Sequence, residues 1–117
     1  PMFYLWFVIF FKHFVCDFPL QWRYQYANKG IYGHPGGLLH AAIHAIGMGS
    51  ICMWFALPLW LVLADAFLHY HIDWAKVYIN MRYGLTPTNS EQFWWLLGLD
   101  QFLHYSCYII LLYLGGR

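Results

Sequence analysis

Four pairs of metal-type side chains recur at i, i+4 spacing in an otherwise apolar chain: His13/Asp17, His40/His44, His69/Asp73 and Asp100/His104. That spacing puts both members of a pair on one helix face, about one turn apart. Turned inward together, the four faces would bring five imidazoles and three carboxylates to one place. Neutral imidazoles and ionised carboxylates suit zinc, manganese and iron. In lipid an ionisable side chain without a partner is costly, so each of these residues is by default a functional candidate.

Eight nitrogen and oxygen ligands with no thiolate exceed the four that a tetrahedral zinc takes. The set therefore predicts two divalent ions, zinc first with manganese or iron as alternatives, a bridging carboxylate and a position open for water. Asp17, Asp73 and Asp100 are the expected catalytic carboxylates, one of them left as general base. Asp65 shares the face of His69 and Asp73 and is the reserve ligand or base. Gln21, Gln101, Tyr70 and Tyr105 are candidates to orient the ligands through hydrogen bonds. His71 points to another face than His69 and is left out. No lysine or arginine is expected at the depth of the pairs, so salt bridges are not expected to neutralise the aspartates.

The elements that must position these residues follow from composition. The chain has 117 residues, 62% hydrophobic, 23% aromatic and 9% charged, where a soluble domain averages about 25% charged. Mean hydropathy is +0.47. A domain this small buries only part of its surface, so an all-α integral-membrane protein is the expected class. A net charge of +1 gives no sign of a nucleic-acid partner. Cys16, Cys52 and Cys107 are dispersed in apolar runs without CxxC spacing and read as small buried hydrophobes. The start of the chain lacks a basic segment and a cleavage site, so it reads as a first membrane helix rather than a signal peptide.

A hydrocarbon core of about 30 Å takes roughly 20 residues of helix. Candidate spans are 2–18, ending near Pro19; 37–56, rich in Gly and Ala; 58–83, with Pro58 in its first turn; and 91–114, capped by Ser90 and stopped by Gly115-Gly116. The segment 20–36 reads as an interfacial loop, with a short helix carrying Trp22, Tyr24 and Tyr26 at headgroup level. The whole, 1–117, is expected to be a single four-helix up-down bundle. At ~1.5 Å rise per residue, all four pairs fall in the half nearest the longer connections. Arg23, Lys29, Lys76 and Arg82 lie on that side, so the positive-inside rule places the larger loops in the cytoplasm and both termini outside, in a bacterial inner membrane. Those basic residues read as topology signals before they read as attractors of an anionic headgroup.

The ordered segments HFVCDFPLQ, LLHAAIHA, LHYHIDWAK and LDQFLHY resemble a family of small bacterial and phage membrane proteins, catalogued as domain of unknown function 3307. Its pattern is H-x-x-x-D-F-x-L-Q, L-H-x-x-x-H-A, S-H-x-x-x-D-W-x-K and D-Q-x-x-H. The resemblance carries over to His13, Asp17, Gln21, His40, His44, His69, Asp73, Lys76, Asp100, Gln101 and His104, and adds Lys76 to the residues expected around the ligands. Leu68 stands where the family has Ser. More remotely, the pattern is similar to bacterial membrane-bound metal-dependent hydrolases, which are akin to helical zinc phospholipases and nucleases.

The leading expectation is a membrane-embedded, dinuclear metal hydrolase acting on a lipid-borne or small phosphoester. A di-iron oxidoreductase competes, although sites of that kind in bundles rely on Glu. Metal or proton transport along the same residues is the third reading. A structural phage protein such as a lysis factor explains the size and not the pairs.

Overall fold

The computed structural model describes residues 2–116, all helix, turn and loop, with no strand among them. The helices are α1 (Met2–Asp17), α2 (Arg23–Tyr26), α3 (Pro35–Phe55), α4 (Trp60–Tyr83) and α5 (Glu91–Leu114). The four long ones run up and down. Asp17 meets His44 across α1 and α3, Lys76 meets Asp100 and Asp73 meets His104 across α4 and α5, and the short α2 lies against the start of α3.

Each boundary has a local cause. Pro35 occupies the first turn of α3, where its missing N–H costs nothing, and the His34 side chain accepts from Gly36 N at 2.9 Å. The helix thus begins within the Pro35-Gly36-Gly37 turn signal, two residues earlier than expected. Gly36 is needed there because a Cβ would run into the Tyr24 carbonyl. α3 and α4 are separate helices. Ala56 closes α3 in the left-handed region at φ 56°, its N–H donating to the Cys52 carbonyl. Pro58 lies before α4, not in it, and its carbonyl accepts from Leu61 N. A residue with a Cβ is strained at that φ, so Ala56→Gly is expected to stabilise the chain by about 0.5–1 kcal/mol, read as a raised unfolding midpoint in detergent. Ser90 takes the cap position of α5 without capping it, because its hydroxyl bonds Asn89 Oδ1 at 2.6 Å instead.

The interior is layered along the bundle. Inward stripes run Lys12, His13 and Cys16 on α1; His40 and His44 on α3; Asp65, His69 and Asp73 on α4; and Asp100, His104 and Tyr108 on α5. The other half of the core is apolar: Leu5, Ile9, Met48, Ile51, Cys52, Leu57, Leu61, Leu111 and Leu112. Outside, large apolar side chains face away from the protein, among them Phe3, Phe7, Trp54, Leu63 and Tyr113. Of the four expected spans, two helices, α3 and α5, are long and apolar enough to cross a membrane. α1 has only 16 residues, and α4 carries Asp65, Asp73, Lys76 and Arg82, which lower its hydropathy.

Candidate metal centre

All eight paired side chains meet in the polar layer, and all but Asp17 are fully buried. Asp17, at the end of α1, is the hub. Its Oδ1 lies 2.8 Å from His44 Nε2, 3.1 Å from His40 Nε2 and 3.8 Å from His69 Nε2, while Oδ2 faces His13 Nε2 at 3.0 Å. Asp73 is a second hub: Oδ2 lies 3.0 Å from His69 Nε2 and 3.3 Å from His40 Nε2, and Oδ1 lies 3.1 Å from His104 Nε2. His40 Nε2 and His69 Nε2 are 3.3 Å apart. Asp100 Oδ1 stands 3.3 Å from His104 Nε2, yet accepts no well-aligned hydrogen bond among the described residues. Two groups could hold a metal ion: Asp17, His40, His44 and His69, and a second made of His69, Asp73 and His104.

The expectation that no basic group reaches this depth is overturned three times. Lys12 Nζ, buried, meets three acceptors: His44 Nδ1 at 3.1 Å, Tyr108 Oη at 3.1 Å and Asp65 Oδ2 at 3.4 Å. Lys29 turns from its loop into the core to reach Asp73 Oδ2 at 3.3 Å, so it is not a surface topology signal. Lys76 pairs with Asp100 Oδ2 at 3.4 Å. A buried carboxylate requires such a partner, which is why the lysines fold inward. Asp65, the reserve ligand, is held by Lys12 and belongs to neither metal group.

The outer partners decide where imidazole protons sit. Gln25 Nε2 donates to the Leu20 carbonyl, which turns Gln25 Oε1 toward His40 Nδ1 at 3.0 Å. His40 Nδ1 therefore donates to Gln25, and the ring is held with Nε2 turned to the two carboxylates of the centre. Gln101 donates to Asp100 Oδ2 and turns Oε1 to His13 Nε2 at 3.1 Å, so that nitrogen faces two acceptors and carries the proton. His13 Nδ1 then accepts from Tyr108 Oη at 2.8 Å. His44 Nδ1 accepts from Lys12, which leaves the proton on Nε2, donating to Asp17. His69 Nδ1 is buried without a hydrogen-bond partner among the described residues.

Gln101 and Lys76 stand where a ligand-orienting role needs them. Gln21 reaches only the Asp17 carbonyl, at 2.6 Å. Tyr70 does not serve the centre; its hydroxyl accepts from Gly33 N at 2.6 Å. Tyr105 packs its ring on His13 with centroids 5.4 Å apart. His71 bonds Tyr32 Oη and the Phe67 carbonyl, away from the centre. Lys12, Gln25 and Tyr108 were not among the candidates. Tyr108 had a signal, four residues after His104 on one face. Lys12 had another, a lone cation inside an apolar helix. Gln25 had none.

A helical bundle with apolar residues outside and a histidine–aspartate interior able to hold a metal is the class that fold and site define. The chain belongs to the family described as "Protein of unknown function (DUF3307)", matched over residues 5–115. No curated protein and no solved structure matches it.

Proposed function

We propose that this chain is a membrane-embedded, metal-dependent hydrolase of phosphoesters, with one divalent ion held chiefly by His40, His69, Asp73 and Asp17. The observation that carries this reading is the convergence of His40 Nε2, His69 Nε2 and Asp73 Oδ2 on one point, with Asp17 Oδ1 beside them. His40 Nε2 lies 3.1 Å from Asp17 Oδ1 and 3.3 Å from Asp73 Oδ2, a spacing at which one divalent ion could take all three atoms as ligands. Donor atoms ~2.0–2.1 Å from a tetrahedral zinc lie about 3.3 Å from one another. The triangle of His40 Nε2, His69 Nε2 and Asp73 Oδ2 has edges of 3.3, 3.0 and 3.3 Å. Zinc is the favoured ion on that spacing, with manganese or iron next.

Charge balance favours one ion over two. Lys12, Lys29 and Lys76 offset Asp65, Asp73 and Asp100, and Asp17 alone is served by imidazoles only. With its imidazoles neutral, as ligands must be, the layer holds one uncompensated negative charge, which a single divalent ion reverses and two would overwhelm. The two groups able to hold a metal also share His69. On this reading His13 and His44 are not ligands; they hold Asp17 in place by donating to its two oxygens. Coordination through Nε2 would keep the His69 proton on Nδ1, where no partner among the described residues steadies the ring as Gln25 steadies His40.

A bound divalent ion would supply a coordinated water with its pKa lowered to about 7 and stabilise charge on phosphoryl oxygens. Asp100, whose Oδ1 accepts no well-aligned hydrogen bond among the described residues, would accept the proton. The apolar exterior around a charged interior, with α3 and α5 long and apolar enough to cross a membrane, supports lipid surroundings. The test is turnover of phosphoesters by purified protein loaded with zinc or manganese. Chelator-sensitive hydrolysis that falls at least 100-fold in Asp73→Asn is expected; no turnover of any phosphoester overturns the reading.

A further inference from the structure

Two apolar grooves run along the outside of the bundle, and they differ in what lies at the bottom. The larger, between α1 and α3, encloses about 450 Å³ beside Lys12 and Cys16. Lys12 shows it only a methylene stem, because Nζ is turned inward onto three acceptors. Its polar end is therefore closed.

The second groove, between α4 and α5, encloses about 270 Å³. Ile72, Ala75 and Leu96 are among its walls, and its polar lining is His71, Lys76 and Asp100. Among the described residues Lys76 Nζ bonds only Asp100 Oδ2, so two of its three protons remain to be given. From Asp100 the path inward is short: Oδ1 is 3.3 Å from His104 Nε2, which is 3.1 Å from Asp73 Oδ1. The apolar groove thus ends at the Lys76–Asp100 pair, from which a chain of side-chain contacts continues through His104 to Asp73.

We propose that this groove is the side entrance of the centre, taking the hydrocarbon chain of an amphiphile while its phosphate head meets Lys76 and the bound ion. The assignment rests on the metal-centre reading above and narrows its substrate to a lipid-like phosphoester. The aliphatic walls accept the chain by burial, and the lysine supplies a charged donor to the phosphate. A free phosphate would use the lysine and leave the walls idle.

The experiment measures binding of dodecyl phosphate, inorganic phosphate and dodecyltrimethylammonium to the metal-loaded full chain in nonionic detergent. Wild type is expected to bind dodecyl phosphate at least tenfold more tightly than either of the others. Ala75→Phe, which narrows the groove, is expected to weaken it at least tenfold with metal content unchanged. Ile46→Phe, which thickens a wall of the α1/α3 groove, is expected to change it less than twofold. Equal effects of the two variants, or dodecyl phosphate binding no better than inorganic phosphate, overturns the entrance. Binding with this pattern but no hydrolysis keeps the entrance and overturns the hydrolase, whereas hydrolysis of long-chain esters indifferent to Ala75→Phe does the reverse.

Discussion

Lys12→Met is expected to destabilise the protein by about 3–5 kcal/mol, the cost of leaving one partner of a buried ion pair behind. Three groups lose a donor at once: Asp65 Oδ2, His44 Nδ1 and Tyr108 Oη. Asp65 is 2% exposed, so no water replaces the lysine. The double variant Lys12→Met/Asp65→Leu removes both charges and is expected to recover most of the loss, because apolar residues of similar volume substitute well for a buried pair. Denaturant unfolding in detergent micelles, followed by circular dichroism, gives both numbers. Single and double variants of equal stability would mean that Asp65 left without its lysine costs nothing.

The second large effect is expected on metal affinity. Elemental analysis of the purified wild type should return about one divalent ion per chain, and His40→Ala should return background. Gln25→Leu is the more informative change, since it touches no ligand atom. It frees His40 Nδ1 from Oε1, so the ring loses its orientation and the acceptor that holds a proton on Nδ1. Losing such an outer partner typically costs 10–100-fold in metal affinity, and competition against a chromophoric chelator measures it. A Gln25→Leu protein that keeps wild-type affinity would show that His40 is not a ligand, and a reproducible two ions per chain would restore the dinuclear expectation.

The histidine–aspartate pairs were legible because helical spacing and depth depend only on position along the chain. Turn chemistry placed the break between α3 and α4 in the same way, through Pro58, although the residue that makes the bend is Ala56. What stayed hidden is the pairing of distant residues. Lys12 meets partners 32, 53 and 96 positions away, and no local pattern announces which carboxylate a lysine will neutralise. Lys29 misled for a related reason. A cation in a polar loop reads as surface, whereas the turn before α3 folds its side chain down onto Asp73. α1 and α4 fell short as spans because inward-facing charged residues count against a helix's hydropathy even when the bundle hides them.

The proton positions in the polar layer have an orientation as well as a pattern. One branch passes from Lys12 through Tyr108 and His13 to Asp17, and a second passes from Lys12 through His44 to the same carboxylate. Every O–H and N–H on both branches points the same way. Aligned donors of this kind polarise one another in a low-dielectric interior. The bundle therefore carries an internal dipole, positive near Lys12 and negative at Asp17, built from side chains and independent of the helix backbones. Its negative pole sits at the end of α1, on the carboxylate that His13, His40, His44 and His69 surround.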